Sequence, residues 1–295
     1  MRDRDTLRRL IRASPDAPQG GAGAPPILYH YTGATGALGI ISTGQMWATD
    51  AAYLNDPSET HYGRRLLRNT WAEFKREVTL SPGEQEFFET LVDLWDAEWH
   101  EMYSTYVACF SQDANVLSQW RAYGQPGTGY SLGFDSAKLM EYATGFSLLK
   151  VEYQPNVQRE TISKVFRYLT EHMRETGTLS DDWIELFYSV FKDEMLSLIV
   201  SLKNEAFHEE REWRLVKLQS AATPASDLGF RTVRGMIVPY LPISTRSASD
   251  IGSLATVTVG PGPEAVNAEK SIKQLLAKSG HVRTGVNRSN VPYRF

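Results

Sequence analysis

The residues best equipped for chemistry are His30, within Leu28-Tyr29-His30-Tyr31-Thr32, and the acidic run His208-Glu209-Glu210-Arg211-Glu212-Trp213-Arg214. The first reads as a short apolar strand ending in a histidine with aromatic neighbours. The second sets carboxylates two residues apart, just ahead of the apolar stretch Leu215-Val216-Lys217-Leu218. A histidine on one strand can hold a polar group such as a ribose, and a carboxylate leading another can stabilise positive charge that develops on it. In period-2 geometry His30 points opposite to Tyr29 and Tyr31, so one face carries Leu28 and His30. If the chain is extended from 210 to 214, Glu210, Glu212 and Arg214 share one face. Two like charges stacked there destabilise unless something is gained, and Arg214 can offset one of them. The plain structural readings are a hydrogen-bonded core histidine and a salt bridge.

Other familiar sites are absent from the sequence. Gly127-Thr-Gly129-Tyr-Ser-Leu-Gly133 is not G-x-G-x-x-G and precedes a strand, which disfavours a dinucleotide-binding Rossmann turn. No G-x-x-x-x-G-K-[ST] occurs. His208-Glu209 begins like a zinc-protease helix, but Glu212 stands where the second histidine belongs. The six histidines show no metal-ligand spacing, and no metal is expected. Cys109, the one cysteine, excludes an internal disulfide and sits in the apolar run Tyr106-Val-Ala-Cys-Phe110, where a small buried hydrophobe is the expected role. Asn55-Asp56-Pro57 reads first as a turn and helix cap, and second as a ligand contact.

These residues need strands to carry them. The chain has 295 residues, 42% of them hydrophobic, enough to bury a large core. Its net charge of −4 gives no global attraction to nucleic acid or anionic membrane. No stretch approaches the roughly 18 apolar residues of a membrane helix. The arginine-rich N-terminus lacks the apolar run of a secretory signal, so a cytoplasmic protein without membrane contact is expected. Residues 1–26 read as a flexible basic and Pro/Gly-rich segment, with the fold starting at Ile27. Strands are expected at Leu28–Tyr31, Tyr106–Phe110, Tyr130–Phe134, Ser147–Tyr153, Trp213–Gln219, Phe230–Pro239 and Leu254–Val259. Helices are expected about Thr35–Ser42 (stopped near Gly44), Glu59–Glu77, Pro82–Tyr103, the stretch before Tyr123, Asp135–Tyr142, Val157–Thr176, Asp181–Phe207 and Glu264–Lys278. Strands interrupted by helices in no regular βαβ rhythm argue an α+β fold with a mixed, mostly antiparallel sheet. A single domain spans 27–295, with helical insertions about 59–103 and 156–207.

Taken in order, Leu28-Tyr-His-Tyr-Thr32, Trp47-Ala-Thr with Leu54-Asn-Asp-Pro-x-Glu59, Cys109-Phe-Ser111 with Trp120-x-x-Tyr123, Glu210-x-Glu-Trp-Arg214 and the ending Ser289-Asn-Val-Pro-Tyr-Arg294 resemble a bacterial family, domain of unknown function 2971. That family looks like a distant branch of the ADP-ribosyltransferase fold, related in layout to the toxin that modifies DNA bases with ADP-ribose. The resemblance implies an ADP-ribosyltransferase-like core and NAD as the substrate from which ADP-ribose is transferred to an unknown acceptor, in a toxin or phage-defence setting. It implies that His30 holds a ribose of NAD, with Tyr31 and Thr32 beside it. Glu212 would hydrogen-bond the ribose hydroxyl, with Glu210 two residues earlier, and either Tyr123 or Trp120 would stack on nicotinamide. Asn55 and Arg214 complete the set expected against the dinucleotide. The Ser-Thr-Ser strand motif of better-known members has no counterpart here, and Arg214 is atypical of them. Two other readings fit the same residues: an NAD glycohydrolase, and a non-enzymatic nucleotide- or partner-binding module in which Glu212–Arg214 is a structural ion pair.

Overall fold

The computed structural model describes residues 23–54, 58–97, 103–123, 129–176, 195–220, 226–247 and 252–292. Most of the expected N-terminal segment lies outside these residues, as does Asn55 with Asp56 and Pro57. Strand β1 (Ile27–Gly33) starts where bulky apolar residues start, and helix α1 (Ala34–Thr43) follows directly. Gly44 ends α1 with φ 69°, a left-handed backbone that suits glycine, and its N–H donates to the Ile40 carbonyl at 2.9 Å. Next come β2 (Gln45–Asp50), α2 (Ser58–Glu77), α3 (Pro82–Ala97), β3 (Tyr103–Ser111), α4 (Leu117–Tyr123) and β4 (Gly129–Asp135). The Asp135 carboxylate caps α5 (Ser136–Tyr142), accepting from the Lys138 N–H at 3.0 Å. The chain continues through β5 (Ser147–Lys150), α6 (Pro155–Thr176), helical residues 195–200 and a 3-10 helix, Glu205–Glu210. It closes with β6 (Glu212–Ser220), β7 (Gly229–Val233), β8 (Met236–Ser244), β9 (Leu254–Val259), α7 (Ala265–Lys278) and β10 (Gly285–Arg288).

The named strands form one mixed sheet, antiparallel except for the pair β9–β10, so the chain is α+β. Its organising element is β3. One edge of β3 pairs with β6 from Tyr103↔Ser220 to Ser111↔Glu212. The other edge is divided: β2 takes it at Asp50↔Tyr106 and Thr49↔Val107, and β1 meets it at Tyr29↔Ser111. Beyond Tyr29, β1 turns away and pairs with β4 along its length, from Ile27↔Asp135 to Gly33↔Gly129. A seam therefore opens between β1 and β2 beside Cys109.

Of three apolar clusters among the described residues, the two larger fix this arrangement. The first joins one sheet face (Leu28, Phe110, Leu132, Trp213, Leu241) to α1, α5 and α7 through Ile41, Leu139 and Ile272. The second is helical and aromatic: Trp71 lies 5.0 Å from Phe88 and 5.5 Å from Phe166 between ring centroids. Rings at such angles and separations add to the area they bury. Trp71→Ala is expected to cost about 3–5 kcal/mol of unfolding free energy in urea denaturation. A loss under about 1 kcal/mol would mean that the helical cluster adds little to stability.

Several elements differ from the sequence expectation. Of the helix expected over Pro82–Tyr103, Pro82–Ala97 is helical, residues 98–102 lie outside the described ones, and Tyr103 already opens β3. The helix expected over Asp181–Phe207 does not reach Phe207; its residues 181–194 lie outside the described ones. Asn204, extended at φ −62° and ψ 141°, instead caps the 3-10 helix by accepting from the Ala206 N–H. The single strand Phe230–Pro239 is a hairpin, because Arg234 and Gly235 both take positive φ (50° and 80°), as a tight two-residue turn requires. The Ser147–Tyr153 strand stops at Lys150, and β10 has no counterpart in the expectation.

Candidate functional site

Glu212 is the first residue of β6, and its place is set by the turn before it. Arg211, at φ 43°, closes the 3-10 helix with its N–H on the His208 carbonyl. That turn takes Glu210 off the strand, so the expected sharing of one strand face by Glu210, Glu212 and Arg214 holds only for the last two. Directly opposed residues of antiparallel strands point the same way. The row Tyr29–Ser111–Glu212 and the pair Cys109↔Arg214 therefore lie on one face of the sheet. Thr49↔Val107 is on that face as well.

Glu212 is 5% exposed and Arg214 3% exposed. The Arg214 guanidinium grips the carboxylate with both arms, Nε to Oε1 at 2.8 Å and NH2 to Oε2 at 2.8 Å. Its remaining arm donates to the Val200 carbonyl at 2.7 Å. The Lys203 ammonium, also buried, donates to Glu212 Oε2 at 3.0 Å and to Glu210 Oε2 at 2.6 Å. The Cys109 side chain, opposite Arg214 in the β3–β6 ladder, also favours the ionised Glu212. Burial alone would raise the Glu212 carboxyl, but Arg214, Lys203 and Cys109 outweigh it and hold the pKa at about 2. A carboxylate offers about four lone-pair positions, and Arg214 and Lys203 occupy three of them. Glu210 is the more accessible acid: its side chain is 16% exposed against 6% for Glu212.

The aromatic residues divide in the same way. Trp120, 4% exposed, packs edge-on against Tyr31 at 4.8 Å and donates its indole N–H to Asn115. The Tyr31 hydroxyl donates to the Asp113 carbonyl and accepts from the Val116 N–H. Both rings thus brace α4 on the sheet and leave no face for nicotinamide. Tyr123, one turn on, is 37% exposed. Its phenol is pushed up by burial and then by the charges of Cys109, Glu212 and Glu210. Tyr153 behaves alike, and its hydroxyl accepts from the Glu212 N–H at 2.9 Å.

His30 pairs across from Leu132 and leaves β1 on the Leu28 face, as the period-2 reading expects. Its ring lies 5.9 Å from Phe110, and Nδ1 bonds the Cys109 carbonyl at 2.9 Å. His30 and Glu212 therefore occupy opposite faces at their strand positions, His30 bonded to the Cys109 carbonyl and Glu212 to Arg214, the residue opposite Cys109. Burial, offset in part by that carbonyl and reinforced by the Arg231 charge, lowers the His30 pKa, so the imidazole is neutral at pH 7. Thr32 packs on Gly36 of α1, where a Cβ has no room, and not toward the acids. Asn55 lies outside the described residues.

The sequence reading passed over Lys203 and Tyr153, and it expected a buried hydrophobe at Cys109, which is partly exposed. A lone lysine closing the apolar run Leu196–Leu202 is the signal that marks Lys203, since a cation there must find buried partners. Among the described residues no group of three or more His, Cys, Asp or Glu is arranged to hold a metal, and no helix is long and apolar enough to cross a membrane.

Residues 119–215 match the model of the family described as "Protein of unknown function (DUF2971)". The match supports assignment to that family. It runs from α4 to β6 and so takes in Trp120, Tyr123, Lys203, Glu210, Glu212 and Arg214, the acidic end of the site. No curated protein and no solved structure matches the chain.

Proposed function

We propose that this chain is an NAD-dependent ADP-ribosyltransferase-like protein whose dinucleotide lies along the seam between β1 and β2 and ends at the acids ahead of β6. The observation that carries this reading is what flanks Cys109: a neutral His30 on its carbonyl and, on the strand opposite, the Arg214-bound Glu212, with the more open Glu210 two residues before it. Cleavage of the nicotinamide–ribose bond sends the bonding electron pair out with neutral nicotinamide and leaves positive charge on the sugar carbon. An acceptor nucleophile, or water, then attacks that carbon. Carboxylates fixed beforehand in a water-poor site favour the charged state. Glu212 is held by three hydrogen bonds from two buried cations, so it serves as the fixed anion that orders the site. Glu210, reaching past Lys203, is the acid that meets the ribose hydroxyl. Tyr123 offers the ring for nicotinamide, and His30 positions the nucleotide without exchanging protons.

The buried cations that engage Glu212 also favour a second reading, a nucleotide-binding module that performs no transfer. Incubation of the full chain with NAD labelled in its adenylate, together with protein and nucleic-acid extracts, separates the two. Transfer predicts nicotinamide release and label in one extract fraction. Intact NAD with no labelled fraction would leave only the binding module.

A further inference from the structure

One cation on the sheet face of Glu212 and Arg214 has no anion among the described residues. Arg231, on β7 opposite Val238, shares its face with Tyr240, Trp47 and Thr49 through the registers of β7, β8 and β2. One arm of its guanidinium donates to Thr49 Oγ1 at 2.7 Å, and its carbon lies 5.4 Å above the Trp47 ring. Trp47 is stacked on Tyr240 at 4.4 Å and is itself 44% exposed. Among the described residues no carboxylate lies within ion-pair distance of Arg231, and its buried Nε has no hydrogen-bond partner. A half-buried guanidinium held in this way gives up hydration without an ionic return. Its planar fork matches phosphate oxygens, and the exposed Trp47 ring beside it offers a surface for a sugar or base.

We propose that Arg231, set on the Trp47–Tyr240 wall, is a phosphoryl-recognition residue that binds an anionic oxygen of a nucleotide lying in the seam. The seam supplies the continuity: Thr49 and His30 engage β3 at Val107 and Cys109, two residues and about 7 Å apart. Arg231 is close enough to His30 for its charge to act on the imidazole. The nucleotide as ligand rests on the reading above; the unpaired cation does not.

Calorimetric titration of the full chain with ADP-ribose, AMP and adenosine tests it. Arg231→Ala is expected to weaken ADP-ribose and AMP about 10–100-fold, the worth of a hydrogen bond to a charged group, and to leave adenosine unchanged. Arg231→Lys, which keeps the charge, recovers part of the loss. Unchanged ADP-ribose binding in Arg231→Ala, an equal loss for adenosine, or no ADP-ribose binding by the unaltered chain would each overturn the proposal. Arg231-dependent ADP-ribose binding alongside intact NAD sustains the phosphoryl site while the transfer reading falls. Nicotinamide release with Arg231-independent binding does the reverse.

Discussion

Arg214→Ala is expected to destabilise the fold by about 3–5 kcal/mol, the cost of leaving a buried charge without its principal partner. The loss should exceed that of any exposed ion pair such as Lys75–Glu89, whose contribution is about 0–1 kcal/mol. Arg214 removes three donors at once, two from Glu212 and one from the Val200 carbonyl. The effect carries a pH signature. The Glu212 carboxyl is depressed to about 2 in the folded chain against 4.5 for the free group. Its contribution is therefore full above about pH 4.5 and fades as the pH falls toward 2. Urea denaturation of both proteins should show a gap that is widest near neutrality and narrows across that interval. A constant gap, or one below about 1 kcal/mol at pH 7, would remove the central role given to this pair.

Glu210→Gln is expected to lower nicotinamide release from NAD by about 10²–10³, the usual effect of removing one preorganised charge-stabilising group. Folding should be affected little, because Glu210 is the more exposed of the two acids and Lys203 keeps its bond to Glu212. Glu212→Gln should behave differently, losing stability together with activity, since it leaves Arg214 and Lys203 buried with no anion between them. Chromatographic assay of nicotinamide, paired with urea denaturation of both variants, separates the roles. If Glu210→Gln released nicotinamide at the unaltered rate while Glu212→Gln folded normally and was inactive, the assignment of the two acids would be reversed.

Local signals made much of the scaffold legible. Gly44 stops α1 and Asp135 caps α5 because each does so through groups within four residues of itself. The face of His30 followed from strand alternation alone. Several features of the site were not legible in this way. The β3–β6 ladder that brings Cys109 beside Arg214 joins distant segments, and nothing local sets that register. The seam exists because β1 and β2 compete for one edge of β3, which is a property of the sheet and not of any segment. Lys203 reaches both acids across a 3-10 turn, so no helical or strand spacing predicts its partners. Arg234 entering the left-handed region hid the β7–β8 hairpin, and with it the face that carries Arg231.

The most direct test is a crystal structure of the full chain with an NAD analogue whose nicotinamide–ribose bond cannot be cleaved. The account predicts a ribose hydroxyl within about 3 Å of the Glu210 carboxylate, the nicotinamide ring against Tyr123 and the dinucleotide running along the seam past His30. An analogue bound on another surface, or one in the seam with Tyr123 and Glu210 both out of contact, would contradict it.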